Sequence, residues 1–297
     1  MNMDNNVYEW KYPLWKQQTT QIIRVLRPKE LHSLIDNVSI RDETAWTKGR
    51  DTQSLTEAGF TDKDIRIWLY FYLYSGVRFS EGIFIHNYRD ANNKTLYQDN
   101  GTLWMPRHKS KGKLSIVTRT IFFSYNGRKI IEDFFNAPNL PSTDANQVQA
   151  TLTSITQMMH TAGKRIGLPE STLTVSKKIT LKDQDGNSIK EMVPSNNFTM
   201  NKDGTYSKIM KERIKTKTIE EQVTTNGCAF RSLRKTWESW LTASLSTLGT
   251  DPLMKDRILN SQGHTENVAK KHYLEISFDK EDLEDIAKEI EGFGVMD

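Results

Sequence analysis

Gly263-His264-Thr265-Glu266-Asn267-Val268-Ala269-Lys270-Lys271-His272-Tyr273 sets a Gly-His pair ahead of a tyrosine that lies nine residues beyond the histidine. Thr265 is a good N-cap, and Glu266 to His272 contains no helix breaker. The stretch predicts a histidine at the mouth of a helix and a tyrosine two turns further on. Pairs of this kind are common in a chain of 297 residues. Two upstream segments make this one informative: Phe230-Arg231-Ser232-Leu233-Arg234-Lys235-Thr236-Trp237, and Ser75-Gly76-Val77-Arg78-Phe79-Ser80-Glu81.

In this order, the three segments resemble the catalytic domain of tyrosine recombinases, the phage-integrase family. The family pattern is Gly-x-Arg-x-Ser-Glu, a lysine on a β-hairpin, H-x-x-R, a Gly-His, and a tyrosine nine residues on. Arg78 with Glu81, Lys111, Arg234, Gly263-His264 and Tyr273 stand on those positions, from about residue 60 to about residue 275. One position departs: Arg231 stands where the family usually has histidine, a variation similar to that of archaeal and viral members. Arginine can donate to a phosphate but cannot act as a base near neutral pH, so Arg231 is expected to act through its charge.

The resemblance implies an α+β, mostly helical fold with a small antiparallel hairpin and a C-terminal helix. It implies a catalytic domain over 61–297, preceded by a short N-terminal arm or truncated DNA-binding segment over 1–60. It also implies a site-specific recombinase (integrase), of the kind carried by viruses, plasmids and other mobile elements. Such an enzyme cuts and rejoins double-stranded DNA through a 3′-phosphotyrosyl link, as a homotetramer on two duplexes, with no cofactor and no metal. Type IB topoisomerases share the covalent chemistry, and a catalytically inactive DNA-binding protein could keep the same fold.

The residue types suit that chemistry. A phosphodiester transition state gathers negative charge on its non-bridging oxygens, and fixed cations must meet it there. Arg78 and Arg234 would form that clamp, because a guanidinium donates two parallel hydrogen bonds and stays charged. Glu81 would orient Arg78, and Lys235 would help to position the phosphate. A leaving 5′ hydroxyl needs a proton, which a lysine on the basic tip Arg107-His108-Lys109-Ser110-Lys111-Gly112-Lys113 would supply. Lys111 fits the family spacing best, with Lys109 and Lys113 as rivals and as phosphate contacts. His264 would bond the scissile phosphate, and Tyr273 would be the nucleophile, its phenolate favoured by two guanidiniums. His86, His108 and His160 are scattered and read as structural or solvent-facing.

Charge points the same way. The net charge is +4. Residues 275–297 hold nine acids and two lysines, so the preceding 274 residues carry 39 basic and 28 acidic side chains. A basic body with an acidic tail attracts a polyanion. Mean hydropathy is −0.63. No apolar run reaches the ~18 residues of a membrane span, and Met1 to Trp15 lacks the pattern of a secretory signal. A single Cys228 excludes a disulfide framework and suits a reducing interior. An intracellular protein is expected.

Helices are predicted over Pro28 to Asp36, from the Thr61-Asp62-Lys63-Asp64 capping box through Tyr74, and over Gly127 to Phe135. Others are predicted over Ala145 to Ile166, Phe230 to Leu245, and from Asp251-Pro252 towards Ile258. Ile83 to Tyr88 is open between helix and strand. Leu103 to Pro106 and Leu114 to Phe123 read as strands. Residues 172–222 read as an insertion, either one or two β-hairpins turning at Asp185-Gly186 and Asp203-Gly204, or a disordered loop. Asp279 to Ile290 is predicted as a final helix whose Leu283, Ile286 and Ile290 stripe docks on a neighbouring protomer.

Overall fold

A computed structural model describes residues 23–43, 52–105, 119–181, 187–203, 205–247, 261 and 278–294. The fold is mixed, with helices and small antiparallel sheets, in keeping with an α+β class. No described helix is long and apolar enough to cross a membrane.

The core is assembled around α2, Asp62–Ser75. Thr61 Oγ1 accepts from the Asp64 amide, and the Asp64 carboxylate accepts from the Thr61 amide at 2.8 Å, which closes the expected capping box. Ile65, Trp68, Leu69, Phe71, Tyr72, Leu73 and Tyr74 are all buried, so the helix is covered nearly all round. Around it lie α1 (Pro28–Asp36), α4 (Tyr125–Asn136) and α6 (Phe230–Thr247). The Phe71 and Phe134 rings stack with centroids 3.5 Å apart, and Trp237 meets Tyr74 edge-on at 5.5 Å. Each such side chain contributes about 1.5–3 kcal/mol of burial.

Gly76 ends α2 in the left-handed region, at φ 59°. The chain then starts α3, Phe79–Asn87, which settles the segment left open by sequence. Strands β1 (Thr102–Met105) and β2 (Arg119–Phe122) pair antiparallel. The hairpin tip expected between them lies outside the described residues. Helix α5 (Ala145–Arg165) starts at Asp144, whose carboxylate accepts from the amides of Asn146 and Gln147, and packs against α1 and α6.

Ile22–Glu170 and Asn226–Asp297 form one compact unit. The Leu26 amide donates to Thr236 Oγ1, Trp240 Nε1 donates to the Leu26 carbonyl, and α1 packs on α2 and α5. The final helix, α7 (Lys280–Glu289), does not hold its stripe out for a neighbour. Ile286 and Ile290 are buried in this chain's own core, with α7 against α1 and α6. Arg27 pairs with Asp279 and Asp282, Lys29 with Glu281, and His32 with Glu289, which also accepts from Tyr74.

The second compact unit contains Ser171–Thr225. Strands β3 (Ser171–Thr180) and β6 (Thr216–Thr225) form an outer antiparallel pair, and β4 (Lys190–Met200) and β5 (Tyr206–Ile214) form an inner one. An inner hairpin turning at Asp203 is as expected of the insertion, whereas β3 pairs with β6 and not with β4, the strand that follows Asp185. Asn201 to Thr205 makes the inner turn, where the Thr205 amide donates to the Asp203 carboxylate.

Candidate functional site

The end of α2 aims the first arginine. Past Gly76, Val77 is buried, and Arg78 takes an extended conformation as the N-cap of α3. Its amide donates to Glu81 Oε2 at 2.7 Å, and its Nη1 donates to Glu81 Oε1 at 3.2 Å. Glu81 is only 2% exposed, whereas the Arg78 side chain is 59% exposed. The carboxylate is therefore a buried anchor, and the guanidinium reaches from it to solvent. Gly82 permits this packing, because a Cβ there would collide with the buried Tyr72 ring, whose hydroxyl donates to the Phe79 carbonyl.

A second arginine reaches the same carboxylate from β2. Arg119 Nη2 donates to Glu81 Oε2 at 2.7 Å, and its side chain is 10% exposed. Arg234 comes from α6, where its Nε donates to Glu238 Oε1 at 2.8 Å. Both are largely enclosed, and Glu238 is one turn along the same helix. Arg234 is close enough for its charge to act on both Glu81 and Arg119. The two arginines singled out by the resemblance therefore belong to one electrostatic cluster.

The charge states follow from these neighbours. Burial works to raise the Glu81 carboxyl. Arg119, the Arg78 amide and the charges of Arg78 and Arg234 outweigh it, and hold the group below its ordinary value. Burial pulls Arg119 below its usual range, the Glu81 carboxylate works against this, and the charges of Arg234 and Arg78 add to the lowering. Arg78, Arg119 and Arg234 thus stand beside Glu81 and Glu238 in one group of guanidiniums and carboxylates. With planar donors in place, such a cluster can receive an anion with two or more oxygens.

Arg231 is exposed in the first turn of α6, three residues before Arg234 and so on the same side of the helix. Lys235 is half-buried, with its Nζ 3.5 Å from the Ile23 carbonyl, so it braces the chain entering α1. Ser261, buried three residues before His264, accepts from the Phe122 amide at 3.3 Å. The chain just upstream of the Gly-His pair is thereby tied to β2, the strand that carries Arg119. Lys109, Lys111, Lys113, His264 and Tyr273 lie outside the described residues, as does His108.

Sequence reasoning missed Arg119 and Glu238. Neither carries a local signal, since each matters only through a partner delivered by the fold. Of the remaining histidines, His86 is buried against Trp68, with centroids 4.7 Å apart, and burial lowers its pKa; His160 is half-buried. Burial pushes the Cys228 thiol up to about 12. No group of His, Cys, Asp and Glu able to hold a metal occurs among the described residues. Comparison of the chain with protein-family models, with curated proteins and with solved structures found no match.

Proposed function

We propose that this chain is a DNA strand transferase of the tyrosine-recombinase type. What supports the reading is that Arg78, hydrogen-bonded to buried Glu81, and Arg234, far from it in sequence, both act by their charge on that carboxylate, with Arg119 as a third cation. In this mechanism Arg78 and Arg234 take the non-bridging oxygens of one phosphodiester. Arg119 is a positioning residue that holds Glu81, and Glu238 does the same for Arg234. Arg231 adds positive charge at the mouth of the cluster.

The Tyr273 hydroxyl oxygen attacks phosphorus and gives up its proton to solvent water. The bond to the 5′ oxygen breaks, and that oxygen takes a proton from Lys111, with His264 bonding the phosphate. The 3′ phosphate stays on the tyrosine, so the energy of the broken bond is kept for resealing. Strand exchange between two duplexes requires several protomers, and double-stranded DNA is the partner.

A duplex nicked next to the cut site tests the reading, because the short leaving strand diffuses away and traps the covalent adduct. Wild type should form the adduct with EDTA present, and Tyr273→Phe should not, while still binding the duplex. Arg78→Ala and Arg234→Ala should each slow adduct formation by about 10²–10³-fold. Rates within about tenfold of wild type for both would overturn the clamp. Sequencing the trapped DNA identifies the target site. Relaxation of supercoils without exchange between duplexes would favour the topoisomerase-like activity.

A further inference from the structure

The inner hairpin of the Ser171–Thr225 unit has one apolar face that is exposed and that no described residue covers. Residues directly opposite in an antiparallel pair share a face. The register Lys190 to Ile214, Met192 to Glu212, Pro194 to Met210, Phe198 to Lys208 and Met200 to Tyr206 therefore defines a single surface. On it Met192 is 56% exposed, Phe198 57%, Met200 66%, Tyr206 70%, Met210 48% and Ile214 47%. At ~200 Å² per large side chain these fractions leave roughly 700 Å² of mostly apolar surface. That is close to the ~800 Å² each partner contributes to a stable protein interface. A two-stranded ribbon that covers nothing is marginally stable in water, so an occupant is called for.

The charges on the face select the occupant. Lys190 is paired with Glu212 at 2.8 Å, and Lys208 lies 5.9 Å over the Phe198 ring. The face thus offers methionine and aromatic surface more than open cations, which suits protein better than a phosphate backbone. Edge-to-edge pairing is discouraged on both sides. β4 carries Pro194, with no amide to donate, and an irregular register up to Phe198. β5 carries Lys208, Lys211 and Arg213.

We infer that two copies of this chain pair face to face through the inner hairpin, with strand directions reversed about a two-fold axis through Met210. An isologous interface must complement itself, and this register does. Glu212 lies over the partner's Lys208, and Lys208 over the partner's Glu212. Met192 lies over the partner's Phe198, Ile214 over the partner's Tyr206, and Met210 over its own copy. An axis along the strands instead sets Glu212 over the partner's Met192, where it meets no cation.

Sedimentation velocity of the full chain without DNA tests this independently of strand transfer. Wild type should dimerise at or below about 10 µM, the weak end for an interface of this size. Glu212→Lys and Lys208→Glu each set like charges face to face, and each should weaken association at least tenfold. An equimolar mixture of the two variants should dimerise again, because every facing pair is then opposite in sign. Recovery in the mixture cannot come from misfolded chains. Phe198→Asp with Met200→Asp should abolish association. The proposal is overturned if wild type stays monomeric at 10 µM, if dimers survive the aspartates, or if the mixture fails to recover. Loss of binding to a 30-base-pair duplex in the charge variants, with self-association unchanged, would instead make DNA the occupant.

Discussion

In the helical body, Trp68, Trp237 and Trp240 are at most 1% exposed; in Ser171–Thr225 no described residue is buried. One region has spent its apolar side chains on a core and keeps polar chemistry where that core meets water. The other is held mainly by backbone ladders and leaves apolar side chains exposed. The difference teaches where each region's stability comes from. The body's comes from packing within one chain, and the ribbon's must be completed by something outside it.

The largest expected break is Glu81→Ala. It removes one partner of an enclosed ion pair, the carboxylate that accepts from Arg119, a change worth about 3–5 kcal/mol. Urea unfolding measures it, and a loss under 1 kcal/mol would mean that the cluster is solvated after all. Next is Gly82→Ala, which drives a Cβ into the Tyr72 ring and should cost about 1–3 kcal/mol by overpacking. A Tm unchanged from wild type would show that α2 and α3 are not in contact there.

A smaller effect, up to about 1 kcal/mol, is expected from pH at α7. The Glu289 hydrogen bond raises His32 above its ordinary 6.5, against burial. Its contribution is therefore full below 6.5 and lost as pH rises through the raised value. Burial pushes Glu289 up, but hydrogen bonds from His32 and Tyr74 prevail and hold it below 4.5. Its contribution is present above 4.5 and lost as pH falls through the lowered value. Protection of the α7 amides relative to their intrinsic exchange rates should be greatest between 4.5 and 6.5, and His32→Ala should flatten the upper limb of that profile. The smallest effect should follow excision of 172–224 behind a short Gly-Ser link, since Ser171 and Thr225 are cross-strand partners. The body should keep its stability to within about 0.6 kcal/mol, and a larger loss would show that the two regions are not energetically separate.

Most of the helices were legible because their signals are local. Thr61 to Asp64, Asp144 and Asp279 each cap a helix, and Leu31, Leu34 and Ile35 recur at helical spacing. Residues 83–88 were ambiguous because six residues with apolar Ile83, Phe84 and Ile85 in a row are too few to show a period. The stripe of α7 announced that it would be covered, but nothing in 279–290 says by what. The answer lies in α1 and α6, elsewhere in the chain, against which α7 packs. Arg78 and Arg234 could be chosen from their motifs. Arg119 could not, since a basic residue in a strand of a chain with 41 lysines and arginines stands out only beside Glu81.

Glu81 accepts from the Arg78 amide, the Arg78 side chain and the Arg119 side chain, three donors on two separate elements. One negative charge thus works as a coincidence detector. It is comfortable out of water only when the turn after α2, the start of α3 and the edge of β2 have all arrived. A half-assembled chain would have to keep that carboxylate hydrated, and with it the cavity that it fills. Arg78 is therefore held ready at the surface only in molecules whose surrounding architecture is already complete.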